Sequence, residues 1–166
     1  MLKTCLRGFL LLSFLVLSAC AVAIPEEDWY ITLAKHNTQN GVVTITEDDG
    51  GLVYSRIDYI ENVIEARNQS VRIIAPECIS ACTMYLGVSN VCTAPYTRFM
   101  FHGPWDSSVA NYTETPAFQH TSRAIARYYP APIRRAFMKS YRHLGPYEFH
   151  TITGEELIAA GHIKAC

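Results

Sequence analysis

The hydrophobic and polar positions repeat with two different periods along the chain. "VVTITE", starting at Val42, is β-branched and bounded by Gly41 and Asp48, and predicts a strand. After the turn "DDGG", the residues Val53, Ile57, Ile60 and Ile64 recur at helical spacing, with Arg56, Asp58, Glu61, Glu65 and Arg67 assigned to the polar face. "SVRIIAPE" reads as the next strand and leads straight into the Cys78-Ile79-Ser80 turn. "SACTMYLGVS" predicts a short helix opened by Ser80, and "VCTA" and "TRFMFH" predict two further strands around Pro95. Ahead of all these, "IPEEDWYITLAKHNTQNG" predicts a short helix ending near Asn40-Gly41. Behind them, the polar loop "WDSSVANYTET" precedes a helix from about Pro116 to Tyr129 and a second one after Pro132. "TITGEELIAAGHI" then carries a capping box at Thr153 and Glu156.

Strands alternating with helices predict an α/β domain, a parallel sheet covered by helices and joined by right-handed crossovers. Sites in such folds lie at the carboxyl ends of the strands. Here those ends carry Asp48-Asp49-Gly50-Gly51, Cys78-Ile79-Ser80 and His102-Gly103-Pro104, all expected on one side. A chain of 166 residues suits one domain. A net charge of −1 argues against a nucleic-acid partner, whose phosphates call for clustered Lys and Arg.

The N-terminus stands apart from the fold. Lys3 and Arg7 precede the apolar run "GFLLLSFLVLSA" in the order of a secretory signal, and the run is short for a membrane span. Residues 1–23 are therefore read as a signal peptide or lipoprotein signal, and 24–166 as a single domain. Leu17-Ser18-Ala19-Cys20 has the form of a lipobox that would leave Cys20 lipidated and the protein attached to a membrane, while Ala21-Val22-Ala23 fits ordinary cleavage and release into the periplasm. Export changes the meaning of the cysteines, because thiols pair in an oxidising compartment. Cys78, Cys82, Cys92 and Cys166 allow three connectivities, of which Cys78 with Cys82 and Cys92 with Cys166 is preferred, since the first pair would clamp the serine turn. No histidine stands at zinc-site spacing from them, and thiol chemistry at Cys78 and Cys82 is the rival reading.

The three strand ends suggest acyl transfer. Ser80 opens a helix, where free amides and the helix dipole favour developing negative charge, and the Ala81 amide can donate to an oxyanion. At Gly50 and Gly51 the lack of side chains lets a backbone amide approach a carbonyl. His102 is the candidate base.

"DDGGLV", "CISACTMYL" and "RFMFHGP" together resemble the Clp protease proteolytic subunit and its relatives in the Clp/crotonase superfamily, in particular small exported proteins with a C-x-S-A-C turn. The resemblance covers Val42 to His102 and, less closely, the tail "TITGEELIAAGHI". It implies a Clp/crotonase-like fold and a serine hydrolase, peptidase-like, acting on a peptide or other acyl substrate. Ser80 would be the nucleophile and His102 the base, with Gly51 and Ala81 as oxyanion donors and no metal or organic cofactor. The sequence departs from the family in two places. At the position of the family's catalytic aspartate stands Phe149, flanked by Glu148 and His150, which leaves either Glu148 from a shifted backbone or a Ser-His dyad. Only residues 24–49 precede Gly50, so the fold is shortened at the N-terminus and the family's ring assembly, a homo-oligomer, loses part of its basis. Superfamily members include inactive relatives, so a non-enzymatic envelope binding module is the alternative.

Overall fold

The structure, a computed structural model, describes residues 34–166; the signal segment, Cys20 and the expected helix up to Leu33 lie outside them. From Ala34 to Gln39 the chain is not helical as expected but a strand, β1, antiparallel to β2 (Val42–Asp48). Asn40 and Gly41 join them, both with positive φ (52° and 74°). Asn-Gly adopts that left-handed pair at low cost, and two such residues give a turn whose twist matches the strands it joins. In sequence Asn-Gly is both a helix stop and a hairpin signal, and pairing with β2 decides between them.

Helix α1 (Val53–Asp58) continues as π-helical turns over Tyr59–Glu65, and buries Ile60 and Ile64 against the sheet as the spacing predicts. Arg56, assigned to the polar face, is buried instead. β3 (Ser70–Ile73) does not run on into the serine turn. The chain breaks at Ile74-Ala75-Pro76 and starts again as β4 (Glu77–Ile79). The break lets one run of chain change neighbours: β3 pairs with β5 (Val91–Thr93), whereas β4 pairs with β6 (Arg98–Phe101). Polar groups at the kink stay satisfied, the Ala75 carbonyl accepting from Thr97 Oγ1 at 2.8 Å and the Pro76 carbonyl from the Arg98 amide at 2.9 Å.

Ser80–Gly87 forms a 3-10 helix. Helices α2 (Pro116–Ala126) and α3 (Ala131–Lys139) follow β6, then β7 (His150–Thr153), α4 (Gly154–Ala159) and β8 (Lys164–Ala165). The capping box at the start of α4 forms as expected, Thr153 Oγ1 accepting from the Glu156 amide at 3.2 Å and Glu156 Oε2 from the Thr153 amide at 2.7 Å. Among the described residues the strand order is β7-β6-β4-β2-β3-β5-β8, with β1 on the other edge of β2. All pairings are parallel except the hairpin β1-β2 and the edge strand β7. The core lies between sheet and helices, and alternate residues point into it: Val43 and Ile45 from β2, Val71 and Ile73 from β3, Phe99 and Phe101 from β6. Each such side chain removed from water contributes about 1.5–3 kcal/mol. Both preferred disulfides are present, Cys78–Cys82 and Cys92–Cys166, the second pinning the chain's last residue beside β5.

Candidate active site

Parallel register brings the three strand ends together. Asp48 pairs with Cys78, so two residues further on Gly50 arrives beside Ser80. Ile79 pairs with Met100 on the adjacent strand, so Ser80 and His102 leave neighbouring strands at the same end. Neighbouring strands lie about 4.8 Å apart. Ser80, Ala81, Gly51 and His102 all line one cavity of about 680 Å³.

Ser80 sits in the left-handed region, with φ 55°. The other described non-glycine residues with positive φ are all asparagines, which tolerate it; a serine there is strained. The helix cap falls to Ile79, whose side chain caps nothing, so Ser80 is not held there as a capping residue. What holds the turn is the Cys78–Cys82 disulfide, which brackets it with its Cα atoms 5.2 Å apart, and Thr83, whose Oγ1 donates to the Ser80 carbonyl at 2.6 Å. Tyr129 Oη lies 2.7 Å from the same Thr83 oxygen. Both bridging cysteines are fully buried and joined to each other, which leaves no free thiol at the turn for the rival chemistry.

Gly50 and Gly51 have φ of 109° and 105°. A Cβ on Gly50 would stand 2.8 Å from the Ser80 Cβ and 3.4 Å from its Oγ, so the glycine turn lies directly against the serine. Three buried side chains stand behind that turn. Asp48 Oδ1 accepts from the Gly50 amide at 2.9 Å and from Arg56 Nη2 at 2.9 Å. Arg56 Nη2 also donates to the Gly50 carbonyl at 2.8 Å and lies 2.8 Å from Asp48 Oδ2. Its other terminal nitrogen donates to the Tyr85 hydroxyl. Burial pushes the Asp48 carboxyl up to about 6, against the pull of the Arg56 guanidinium, and raises the Tyr85 hydroxyl well above the usual phenol.

His102 is partly buried, and desolvation lowers its pKa below the ordinary 6.5, the Gly103 backbone opposing the shift. Its Nδ1 is enclosed without a hydrogen-bond partner among the described residues. Phe149 stands edge-on to the imidazole, ring centroids 5.3 Å apart. Glu148 is turned elsewhere: its Oε2 accepts from the Gly145 amide at 3.1 Å. The cavity wall is otherwise largely apolar and aromatic, with Leu52, Tyr54, Trp105, Tyr112, Ile125 and Tyr129. Past Tyr54 a second hollow of about 530 Å³ continues it toward His120.

Arg56 and Tyr85 are the members of this neighbourhood that the sequence reading missed. A signal for Arg56 was present: it lies three residues after Val53 and four before Ile60, on the apolar stripe itself. Asp48 was noted only as part of the "DDGG" turn.

No protein-family model matches the chain. Nor does any curated protein match it. Among solved structures the chain is similar to the 1510-N membrane-bound stomatin-specific protease, determined as a mutant in complex with a substrate peptide. The TM-score is 0.53 and the identity 20%, over 75% of this chain and 60% of that one. The fold is Clp/crotonase-like. This chain spans about 60% of the length of that neighbour.

Proposed function

We propose that the protein is a serine hydrolase, peptidase-like, in which Ser80 and His102 act as a dyad. The observation that carries this reading is the shared cavity: a serine strained into the left-handed region, a glycine turn packed on its Cβ, and an imidazole from the adjacent strand end. In the proposed reaction His102 accepts the Ser80 hydroxyl proton as Oγ bonds to the substrate carbonyl carbon. The oxyanion is held by the Gly51 and Ala81 amides. When the carbon–nitrogen or carbon–oxygen bond breaks, the proton passes from His102 to the leaving group. Water, deprotonated by His102, then attacks the acyl ester, and the proton returns to Ser80 Oγ. With Nδ1 enclosed, Nε2 is the nitrogen that takes the proton. The chemistry calls for no metal or organic cofactor.

The dyad is favoured over a triad through Glu148, because that carboxylate is engaged by Gly145 and Phe149 stands beside the ring. An extended peptide is the best-suited substrate, since the cavity and its continuation past Tyr54 offer a long, largely apolar cleft. The neighbouring protease's substrate peptide agrees with that choice. The disulfides favour export to an oxidising compartment, and Cys20 is the proposed point of lipid attachment. Homo-oligomers remain compatible with the fold.

The test is labelling by a fluorophosphonate probe. Wild type is expected to be modified at Ser80, Ser80→Ala to be unmodified, and His102→Ala to label at least a hundredfold more slowly. Labelling that persists in Ser80→Ala removes Ser80 from the mechanism. A second reading, a binding module without catalysis, is favoured by the His102 Nδ1, which has no partner among the described residues; an inert, folded wild type would select it.

A further inference from the structure

From the bonds around Gly50 we infer that Arg56, braced by Asp48 and Tyr85, is a positioning residue that aims the Gly51 amide into the cavity. The inference rests on the hydrolase reading above and names the part that would build its oxyanion hole.

A turn of two glycines is the backbone least able to hold its own shape, because neither residue has a side chain to restrict φ and ψ. An oxyanion donor works only if it is already aimed when charge develops. Something outside the turn must therefore fix it. The peptide plane between Gly50 and Gly51 is held by its carbonyl, to which Arg56 Nη2 donates at 2.8 Å. Among the described residues no peptide bond is cis, and in a trans peptide the N–H points opposite to the C=O. Holding the Gly50 carbonyl toward Arg56 thus turns the Gly51 N–H away from it. Gly51 lines the cavity with Ser80 and Ala81, whereas Arg56, Asp48 and Tyr85 do not. The preceding peptide is held as well, since the Gly50 amide donates to Asp48 Oδ1 at 2.9 Å.

The same guanidinium reaches the helix that Ser80 opens. Its second terminal nitrogen donates to the Tyr85 hydroxyl, and its carbon lies 4.5 Å from the Tyr85 ring centre. One side chain on α1 therefore ties together the end of β2, the glycine turn and the serine helix. A planar guanidinium with donors on both arms can serve three acceptors at fixed angles, which an ammonium cannot. This accounts for an arginine buried to 7% exposure, on the stripe where the helix otherwise places aliphatic residues.

The experiment compares fluorophosphonate labelling of wild type, Arg56→Lys and Asp48→Asn, resolved into the limiting rate at saturating probe and the probe concentration giving half that rate. Lysine keeps the charge beside Asp48 but not the fork. Asparagine keeps an acceptor for the Gly50 amide but loses the charge that anchors Arg56. Folding is verified by a cooperative melt, and Asp48→Asn carries the comparison if Arg56→Lys does not fold. The expected result is a limiting rate lowered about tenfold or more, with the half-saturating concentration within about twofold of wild type. Folded variants that keep the wild-type limiting rate, or that lose only apparent affinity, overturn the inference while leaving the hydrolase reading in place. A wild type that fails to label removes both.

Discussion

A methyl group on Gly50 would stand 2.8 Å from the Ser80 Cβ and 3.1 Å from the Ile79 carbonyl oxygen, at a φ of 109° that an alanine adopts only under strain. Neither contact is with the free end of a flexible chain, so the turn or the serine must move. Gly50→Ala is expected to cost about 1–3 kcal/mol in stability and to lower the rate of Ser80 labelling by about a hundredfold. Chemical denaturation and labelling kinetics measure the two effects; a labelling rate within threefold of wild type would show that the glycine turn is not part of the site. The glycine pair, the serine and the histidine are all legible in the sequence as candidates, because each stands at the end of a recognisable apolar run. Arg56 was not. A charged residue near a helix's apolar stripe is normally placed in solvent, and only Asp48, eight residues upstream and brought under it by the turn, makes burial tolerable.

At the scale of elements, the two disulfides do different work. Cys78–Cys82 closes a short loop around a strained turn, whereas Cys92–Cys166 joins residues 74 apart and holds the edge strand β8 to β5. Loop-closure entropy assigns the longer bridge about 4 kcal/mol. Replacing Cys92 and Cys166 together by serine is expected to lower unfolding stability by about 2–4 kcal/mol and to leave Ser80 labelling near wild type, since neither residue lines the cavity. Denaturant titration and labelling of the same sample check both halves; a loss below about 0.5 kcal/mol would mean that the bridge staples nothing. The amphipathic helix from Val53 is predicted by its period, and the strands at Val42, Val91 and Arg98 by short apolar, β-branched runs between turn residues. The helix expected to run into Asn40 was misread, because a polar segment pairing with a sheet edge has no strong period of its own and the hairpin depends on β2 being there to receive it. The kink has a signal in Pro76, but the change of partners that it allows does not, since pairing is not written in one dimension.

For the whole molecule, pH separates activity from stability. The His102 imidazole has its pKa lowered by desolvation, so the neutral base is lost only as pH falls below 6.5. The same shift makes acid destabilising: the unfolded chain takes up this proton first, and the contribution present above 6.5 is lost as pH falls through the folded value. Asp48 acts in the opposite sense. Its folded pKa of about 6 exceeds the ordinary 3.8, so its contribution is full below 3.8 and is lost as pH rises through about 6; between those values acid favours the fold. Labelling of wild type should therefore fall on acidification below 6.5, while between about pH 6 and pH 5 Asp48 offsets part of the loss in melting temperature that His102 brings. Asp48→Asn should lose melting temperature more steeply over that range. Labelling that stays flat from pH 7 to 5, or an Asp48→Asn melting temperature that falls no more steeply than that of wild type, would show that these two groups do not govern the response. The alternation of strand and helix from Val42 onward, the glycine-serine-histidine series and an even set of cysteines were determined by the sequence alone, because periodicity, turn chemistry and residue type are local properties. Tertiary structure decided which residues meet. Parallel register set Gly50 against Ser80 and His102 one strand away, the fold put Phe149 beside the imidazole, and packing drew Arg56 inward onto Asp48 and Tyr85. Each of these is a contact between distant segments, and its energy exists only once the sheet has formed.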